Sequence, residues 1–186
     1  MTLQIQKERI VKSQTYNKTK HFIIELICLA VACCFGVNTS AAPNSKSPYG
    51  FPMKILKEIR LGPCSDAAVD GDILYVIGRR SVYSYDISTP SNPLLLQRLR
   101  GLGHVRQIEV QDGYAYITAR EEGLFIIDVS NPKKMVKIAH YDTLELGTGI
   151  SVSGPLAAVA NRQYGIELID ISNPRKPRFL GMTRTG

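Results

Sequence analysis

The chain has 186 residues, which is enough for one domain of ordinary size and too few for two large ones. Hydrophobic residues make up 44% and charged residues 21%, a globular balance that argues against wholesale disorder, collagen and coiled coil. The formal net charge is +7, but residues 1–42 hold five basic and two acidic residues, and the remainder holds 18 and 14. Because the remainder intersperses both signs and has no long basic run, composition excludes nucleic acid as the default partner.

The N-terminal segment has the order of a secretory signal peptide. Residues 1–21 are polar and basic, residues 22–37 are apolar apart from Glu25, and the small residues Asn38–Ala42 follow. This order predicts a signal peptide over residues 1–42, with cleavage after Ala41, and therefore export to the periplasm, the cell surface or the extracellular space.

Two alternatives for this segment stay open. The run Ala30-Val31-Ala32-Cys33 is similar to a lipoprotein box, which would leave a lipidated Cys33 as a membrane anchor. An uncleaved leader is the other alternative, although its 16-residue apolar run is shorter than the roughly 20 residues that span a bilayer. Only Cys64 lies beyond the leader, so neither an intramolecular disulfide nor a zinc site of the spaced-pair type is available to the mature chain.

An internal repeat organises the rest of the chain. Three residue types recur twice in register with a step of 42 residues: Asp86, Asp128 and Asp170; Ser88, Ser130 and Ser172; Pro90, Pro132 and Pro174. Upstream of each set, a turn signal precedes a short apolar run, and these signals are Asp70-Gly71, Asp112-Gly113 and Ser153-Gly154. Asp-Gly between apolar runs is typical of a tight hairpin turn with a left-handed backbone.

Each unit predicts four short strands. First strands are expected near Ala67–Val69, Val105–Val110 and Gly149–Val152, and second strands at Ile73–Val76, Tyr114–Ile117 and Leu156–Val159. The third strand, Leu124–Ile127 in the middle unit, is apolar on successive residues, as in a strand buried on both faces. Met135–His140 alternates with charge, as an exposed outer strand does. Four strands per 42 residues, with a buried middle and a polar rim, predict an all-β chain of β-propeller-type blades.

The residues also resemble a known family. Gly123-Leu124-Phe125-Ile126-Ile127-Asp128-Val129-Ser130-Asn131-Pro132, and its counterpart from Gly165 to Pro174, resemble the LVIVD repeat family of exported bacterial and archaeal propeller proteins. The first repeat departs from this pattern, because Ser81-Val82 stand where Gly-Leu is expected. The resemblance implies a propeller and an exported location, and it implies no agreed activity.

The predicted organisation is an incomplete ring. After the leader come a linker with an unpaired outer strand (residues 43–63, the strand at Phe51–Leu61), repeat 1 (64–101), repeat 2 (102–143) and repeat 3 (144–186). Propellers close with about four to eight blades, and three blades would leave two apolar faces in contact with water. Either the chain is a piece of a longer protein, which we favour because repeat arrays need caps, or copies associate to complete the ring.

Arg79, Arg120 and Arg162 are the first candidate ligand-binding residues. Each follows the second strand of its repeat, so we expect one arginine per blade at the same end of the ring. Guanidinium groups hold carboxylates and phosphates by paired hydrogen bonds, although arginines in loops also serve simply to keep a rim soluble.

His104, just before a first strand, is the fourth candidate, as an acid, a base or a metal ligand in the channel. The sequence has no recognisable catalytic or phosphate-loop motif, and it calls for no cofactor. We therefore expect an exported, non-enzymatic module that binds a protein, a glycan or a small anion. A propeller enzyme whose active site needs further blades and a purely structural surface repeat are the alternatives.

Overall fold

The computed structural model describes residues 55–184, which form twelve β-strands and no helix. The strands are β1 (Asp66–Asp70), β2 (Ile73–Gly78), β3 (Ser81–Asp86), β4 (Leu94–Arg100), β5 (Val105–Gln111), β6 (Tyr114–Ala119), β7 (Gly123–Asp128), β8 (Val136–Tyr141), β9 (Gly147–Ser153), β10 (Leu156–Asn161), β11 (Gly165–Asp170) and β12 (Arg178–Thr183). Over residues 55–184, therefore, no helix is present that could cross a membrane. The predicted signal peptide, with its lipobox alternative, lies outside the described residues.

Three four-stranded antiparallel sheets follow one another along the chain. Each pairs its strands in chain order, from β1 to β4, from β5 to β8 and from β9 to β12. Two-residue turns join first and second strands as predicted, but in the first and third sheets the turn begins one residue later than predicted, at Gly71 and at Gly154. In the middle repeat both turn residues, Asp112 (φ 53°) and Gly113 (φ 78°), adopt the left-handed conformation that a type I′ turn requires.

Burial within the middle sheet follows the predicted order. The third strand β7 is buried along almost its whole length, whereas the fourth strand β8 has no fully buried residue. Four tyrosines are buried in the core, namely Tyr75, Tyr83, Tyr85 and Tyr116. Burial raises the pKa of Tyr75 to about 12, and its hydroxyl donates to the carbonyl oxygen of Val129 in the next sheet at 3.3 Å.

The sheets stack face to face through two apolar clusters. Ile77 and Val82 of the first sheet pack with Ile117 and Ile127 of the second, and all four are fully buried. A second cluster joins the other face of the middle sheet to the third sheet and includes Leu124, Ile126, Val159 and Ile169. Since a buried aliphatic side chain stabilises a fold by roughly 1.5–3 kcal/mol, these clusters are the main force that holds the sheets together.

Side chains of the first strands also link neighbouring sheets. The Ile108 backbone N–H donates to Asp66 Oδ2 at 3.0 Å, and the Ile150 N–H donates to Gln107 Oε1 at 2.9 Å. Asp66 and Gln107 occupy equivalent positions, opposite Ile77 in β2 and Thr118 in β6. Strand β1 thus contacts β5 and β5 contacts β9, which is the arrangement of first strands around a propeller axis.

The recurring Asp-x-Ser-x-Pro segments form turns after the third strands, as predicted. In each, the serine N–H donates to the aspartate Oδ1, at 2.9 Å from Ser88 to Asp86, 3.1 Å from Ser130 to Asp128 and 2.8 Å from Ser172 to Asp170. Hydrogen bonds from the serine hydroxyl and N–H hold the pKa of each aspartate below its ordinary value. The turn is therefore a local structure that each repeat forms from its own residues.

The described part of the predicted unpaired outer strand at Phe51–Leu61 lies outside the three sheets. Residues 55–61 form no strand, and Ile55 and Leu56 are exposed there. An outer strand needs a third strand beside it, and β3, β7 and β11 already pair with β4, β8 and β12. Residues 51–54 lie outside the described part of the chain.

Candidate functional site

One end of the stacked sheets carries the turns between second and third strands and the links between sheets. Arg79 lies in the β2–β3 turn, Arg120 follows β6 and Arg162 follows β10. Because all three sheets have the same strand order, the topology puts these arginines at the same end, opposite the end that carries the aspartate–serine turns. Each arginine has different surroundings.

The first of these turns is one residue shorter than the other two. It contains only Arg79 and Arg80, and both have left-handed backbones, with φ of 47° and 61°. The other two turns have three residues each and are followed by a left-handed glycine that begins the third strand, Gly123 (φ 77°) or Gly165 (φ 94°). The shorter turn explains why Ser81 stands where the other repeats have glycine. A left-handed conformation costs a residue with a side chain roughly 1–2 kcal/mol.

An open groove lies beside this short turn, at the junction of the first and second sheets. It is lined by Arg79, Arg80, Ser81, Arg98, Arg100, Gly101, Gly103 and Glu122 and is called the arginine groove below. Within residues 55–184, none of its four arginines has a carboxylate within the 4.0 Å of an ion pair. Arg98 is held in place, since its Nε donates to Ser81 Oγ at 3.2 Å and its guanidinium lies 5.0 Å from the centre of the Tyr83 ring.

Arg120 and His104 share an acidic partner instead. Glu121 Oε2 lies 2.9 Å from His104 Nδ1, and Glu121 Oε1 lies 3.7 Å from Arg120 Nε. The hydrogen bond with His104 is the main reason that the pKa of Glu121 lies below its ordinary value. The His104 side chain is 65% exposed, and within residues 55–184 no group of three His, Cys, Asp or Glu residues is placed to hold a metal ion.

Arg162 is exposed, and its turn is held by its neighbours. The Arg162 N–H donates to the Leu146 carbonyl at 3.4 Å, and the Gln163 N–H donates to Glu145 Oε2 at 2.8 Å. Of the four predicted residues, only Arg79 lines the arginine groove. Sequence reasoning missed Arg80, Arg98 and Arg100, whose equivalent positions in the middle repeat hold no arginine, although the Arg79-Arg80 pair in a shortened turn was a visible signal.

A buried carboxylate between the second and third sheets was also missed. Glu167 is fully buried and accepts three hydrogen bonds: from the Tyr141 hydroxyl at 2.6 Å, the Asn161 Nδ2 at 2.7 Å and the Leu144 N–H at 3.0 Å. It occupies the position that Phe125 has in the second repeat, and a charged residue in that apolar run is the signal that could have found it. Burial and the Glu167 carboxylate raise the pKa of Tyr141. Asn161 Oδ1 is buried and has no hydrogen-bond partner among residues 55–184.

Three stacked four-stranded sheets with first strands side by side define a β-propeller-type repeat protein. The family model of the LVIVD repeat matches the chain three times, over residues 62–100, 102–143 and 147–185. The chain therefore belongs to the LVIVD repeat family. No curated protein matches it.

Solved structures share the fold at low sequence identity. The computationally designed Ika4 protein aligns with a TM-score of 0.56 at 13% identity, over 68% of this chain and 75% of that one. The designed Ika8 protein aligns with a TM-score of 0.52 at 13% identity, over 66% and 38% of the two chains. For the N-terminal domain of Nup159 the TM-score is 0.50 at 16% identity, over 72% and 34%. Similarity at this level supports the fold alone.

Proposed function

We propose that this protein is an exported, non-enzymatic β-propeller-type module that binds a protein, a glycan or a small anion through the arginine-bearing end of its sheets. The observation that carries the proposal is the placement of three turn arginines at one end of a tightly stacked scaffold. Loops held by a rigid scaffold are the usual position of binding residues. Guanidinium groups in those loops favour an acidic ligand.

The scaffold supports this role because the sheets below the turns are tied together. The Gln107 and Asp66 hydrogen bonds and the buried carboxylate of Glu167 all cross from one sheet to the next. A ligand that touches two turns would therefore meet positions set in advance, with little loss of conformational entropy on binding.

Export is tested by processing of the leader. When the full chain is expressed in a bacterial host, we expect protein outside the cytoplasm that starts at Ala42, because the basic, apolar and small-residue segments direct cleavage after Ala41. Mass spectrometry of the cell fractions measures this start. A lipidated Cys33 would replace the cleaved form by an anchored one, and an intact chain found only in the cytoplasm would contradict export.

Binding is tested by a triple variant of the proposed surface. Replacing Arg79, Arg120 and Arg162 with alanine in the full chain should weaken binding to acidic glycans on an array, and to citrate in a calorimetric titration, at least about tenfold. The reason is that one charge-assisted hydrogen bond contributes about 1.5–3 kcal/mol.

The matched control removes the same charge from the opposite end. Lys133, Lys134 and Lys176 are exposed in the turns after β7 and β11, and their replacement with alanine should leave binding unchanged. Equal weakening by both triple variants would show an attraction to net charge only, and unchanged binding in the arginine variant would remove this surface from the proposal.

A further inference from the structure

The arginine groove concentrates positive charge that the described chain does not neutralise. Four arginines and a single carboxylate, that of Glu122, line it. Glu122 Oε2 accepts the His104 N–H at 3.3 Å, and within residues 55–184 no arginine lies within 4.0 Å of the Glu122 carboxylate. Elsewhere on the same end, Arg120 has Glu121 beside it. The groove therefore holds a cluster of positive charge at this end that an anionic ligand would neutralise.

The backbone conformation of the short turn also supports a functional role for the groove. Arg79 and Arg80 both hold left-handed conformations, positions at which Asn and Gly are the favoured residues of a two-residue turn. The turn nevertheless forms, because the Arg80 carbonyl accepts the N–H groups of both Gly101 and Leu102 at 3.1 Å. Backbone strain that the surrounding structure overrides is concentrated at functional sites in proteins. Both arginines of the turn line the groove, and the Arg79 guanidinium also lies against Gly62.

The side chains that line the groove indicate which chemical class of ligand it binds. A guanidinium group only donates hydrogen bonds, and its planar fork matches pairs of oxygens on one anion. Arg98 is pre-positioned by Ser81 and Tyr83, so less side-chain entropy is lost when it binds. Arg79 and Arg80 line the groove from the β2–β3 turn and Arg100 lines it from the end of β4, so all of them belong to the first sheet. Four guanidinium groups offer more donors than the two oxygens of a carboxylate can accept, whereas a tetrahedral anion presents up to four oxygens.

We propose that the arginine groove is a binding site for a tetrahedral oxyanion, that is, a phosphoryl or sulfuryl group, free or at the end of a larger molecule. This inference rests on the proposed binding function and names the chemical class that one part of the surface takes. It also moves the site from the three equivalent arginines to a single junction, that between the first and second sheets.

The test uses a substitution that separates binding from folding. Arg80→Gly removes one guanidinium and gives the turn a residue suited to a φ of 61°, so it should raise the thermal unfolding temperature while it weakens anion binding. The double variant Arg80→Gly/Arg100→Ala removes two guanidiniums, and at least a tenfold loss of affinity is expected. Opposite changes in stability and affinity cannot come from a protein that has simply failed to fold.

Two matched double variants accompany it. Lys134→Ala/Lys176→Ala removes the same charge at the opposite end, and Arg120→Ala/Arg162→Ala removes it from the other two turns of the same end. The full chain is titrated with sodium phosphate, sodium sulfate and sodium acetate at constant ionic strength, followed by calorimetry and by NMR shifts of the arginine side chains.

Saturable binding of phosphate or sulfate, weakened at least tenfold only in the groove variant, supports the proposal, and the tighter of the two anions identifies the group. Acetate bound as tightly, equal losses in all three double variants, or no saturable binding by the unmodified chain would overturn it. A loss confined to the Arg120/Arg162 variant would overturn the groove and leave the proposed function standing. The groove would also be overturned, and the proposed function would stand, if the unmodified chain bound no phosphate or sulfate while the arginine triple variant lost glycan and citrate binding.

Discussion

Replacing Glu167 with alanine is expected to lower the free energy of unfolding by about 3–5 kcal/mol. The substitution would remove a fully buried acceptor from the Tyr141 hydroxyl, the Leu144 N–H and the buried Asn161 amide. Each buried donor without an acceptor costs about 1–3 kcal/mol, and the lost side chain also leaves a cavity. Chemical denaturation monitored by circular dichroism measures the change.

The control for this prediction is Glu167→Gln, which keeps the shape of the side chain. Its amide oxygen can still accept from the Tyr141 hydroxyl, but its NH2 group faces the donors Leu144 N–H and Asn161 Nδ2. We expect a loss about half that of the alanine variant. If Glu167→Ala unfolds within about 1 kcal/mol of the unmodified chain, the three hydrogen bonds do not link the second and third sheets as described.

Gly123→Ala is expected to destabilise the protein by about 2–5 kcal/mol. Gly123 has a φ of 77°, and a Cβ atom built there would lie 2.4 Å from the Tyr141 carbonyl oxygen and 2.8 Å from the Thr143 N. The substitution therefore adds a strained backbone conformation to a clash with main-chain atoms, which move only if the link after β8 moves. Thermal unfolding of the purified variant measures the loss.

Gly154→Ala is the matched control for Gly123→Ala. Gly154 also has a left-handed backbone, with a φ of 56°, but a Cβ atom there would meet nothing within 4 Å. It should cost only the conformational part, about 1–2 kcal/mol. Equal losses for both variants would show that the contact with Tyr141 and Thr143 plays no part and that φ alone requires glycine at position 123.

The repeat made most of the fold predictable, because each blade is built from local signals. Asp112-Gly113 predicted the hairpin, the continuous apolar run Leu124–Ile127 predicted the doubly buried strand, and Asp128 and Ser130 predicted the turn that follows it. These features depend on residues a few positions apart, so the pattern along the chain contains them completely. Residues 55–61, the described part of the predicted unpaired outer strand, lie outside the sheets, because a strand joins a sheet only beside a partner.

The candidate site was less predictable, because its members do not follow the period. Arg79, Arg120 and Arg162 were found as repeat equivalents, yet only Arg79 reaches the arginine groove. Arg98 and Arg100 line the groove from β4 of the first sheet, and Glu122 lines it from the turn after β6 in the second sheet. The hydrogen bonds of Glu167 were not predictable either, because its three donors come from β8, from β10 and from the segment between β8 and β9.

By itself, the amino-acid sequence determined the twelve-strand pattern, its division into three sheets and the membership of the LVIVD repeat family, since all three depend on short-range periodicity. The tertiary structure alone decided which charges meet. A one-residue shortening of the first turn placed Arg79 and Arg80 in left-handed conformations, and the stacking of sheets brought Glu122 to the same groove. Stacking sets distances between residues far apart in the chain, and a pattern that repeats within each blade contains no information about such distances.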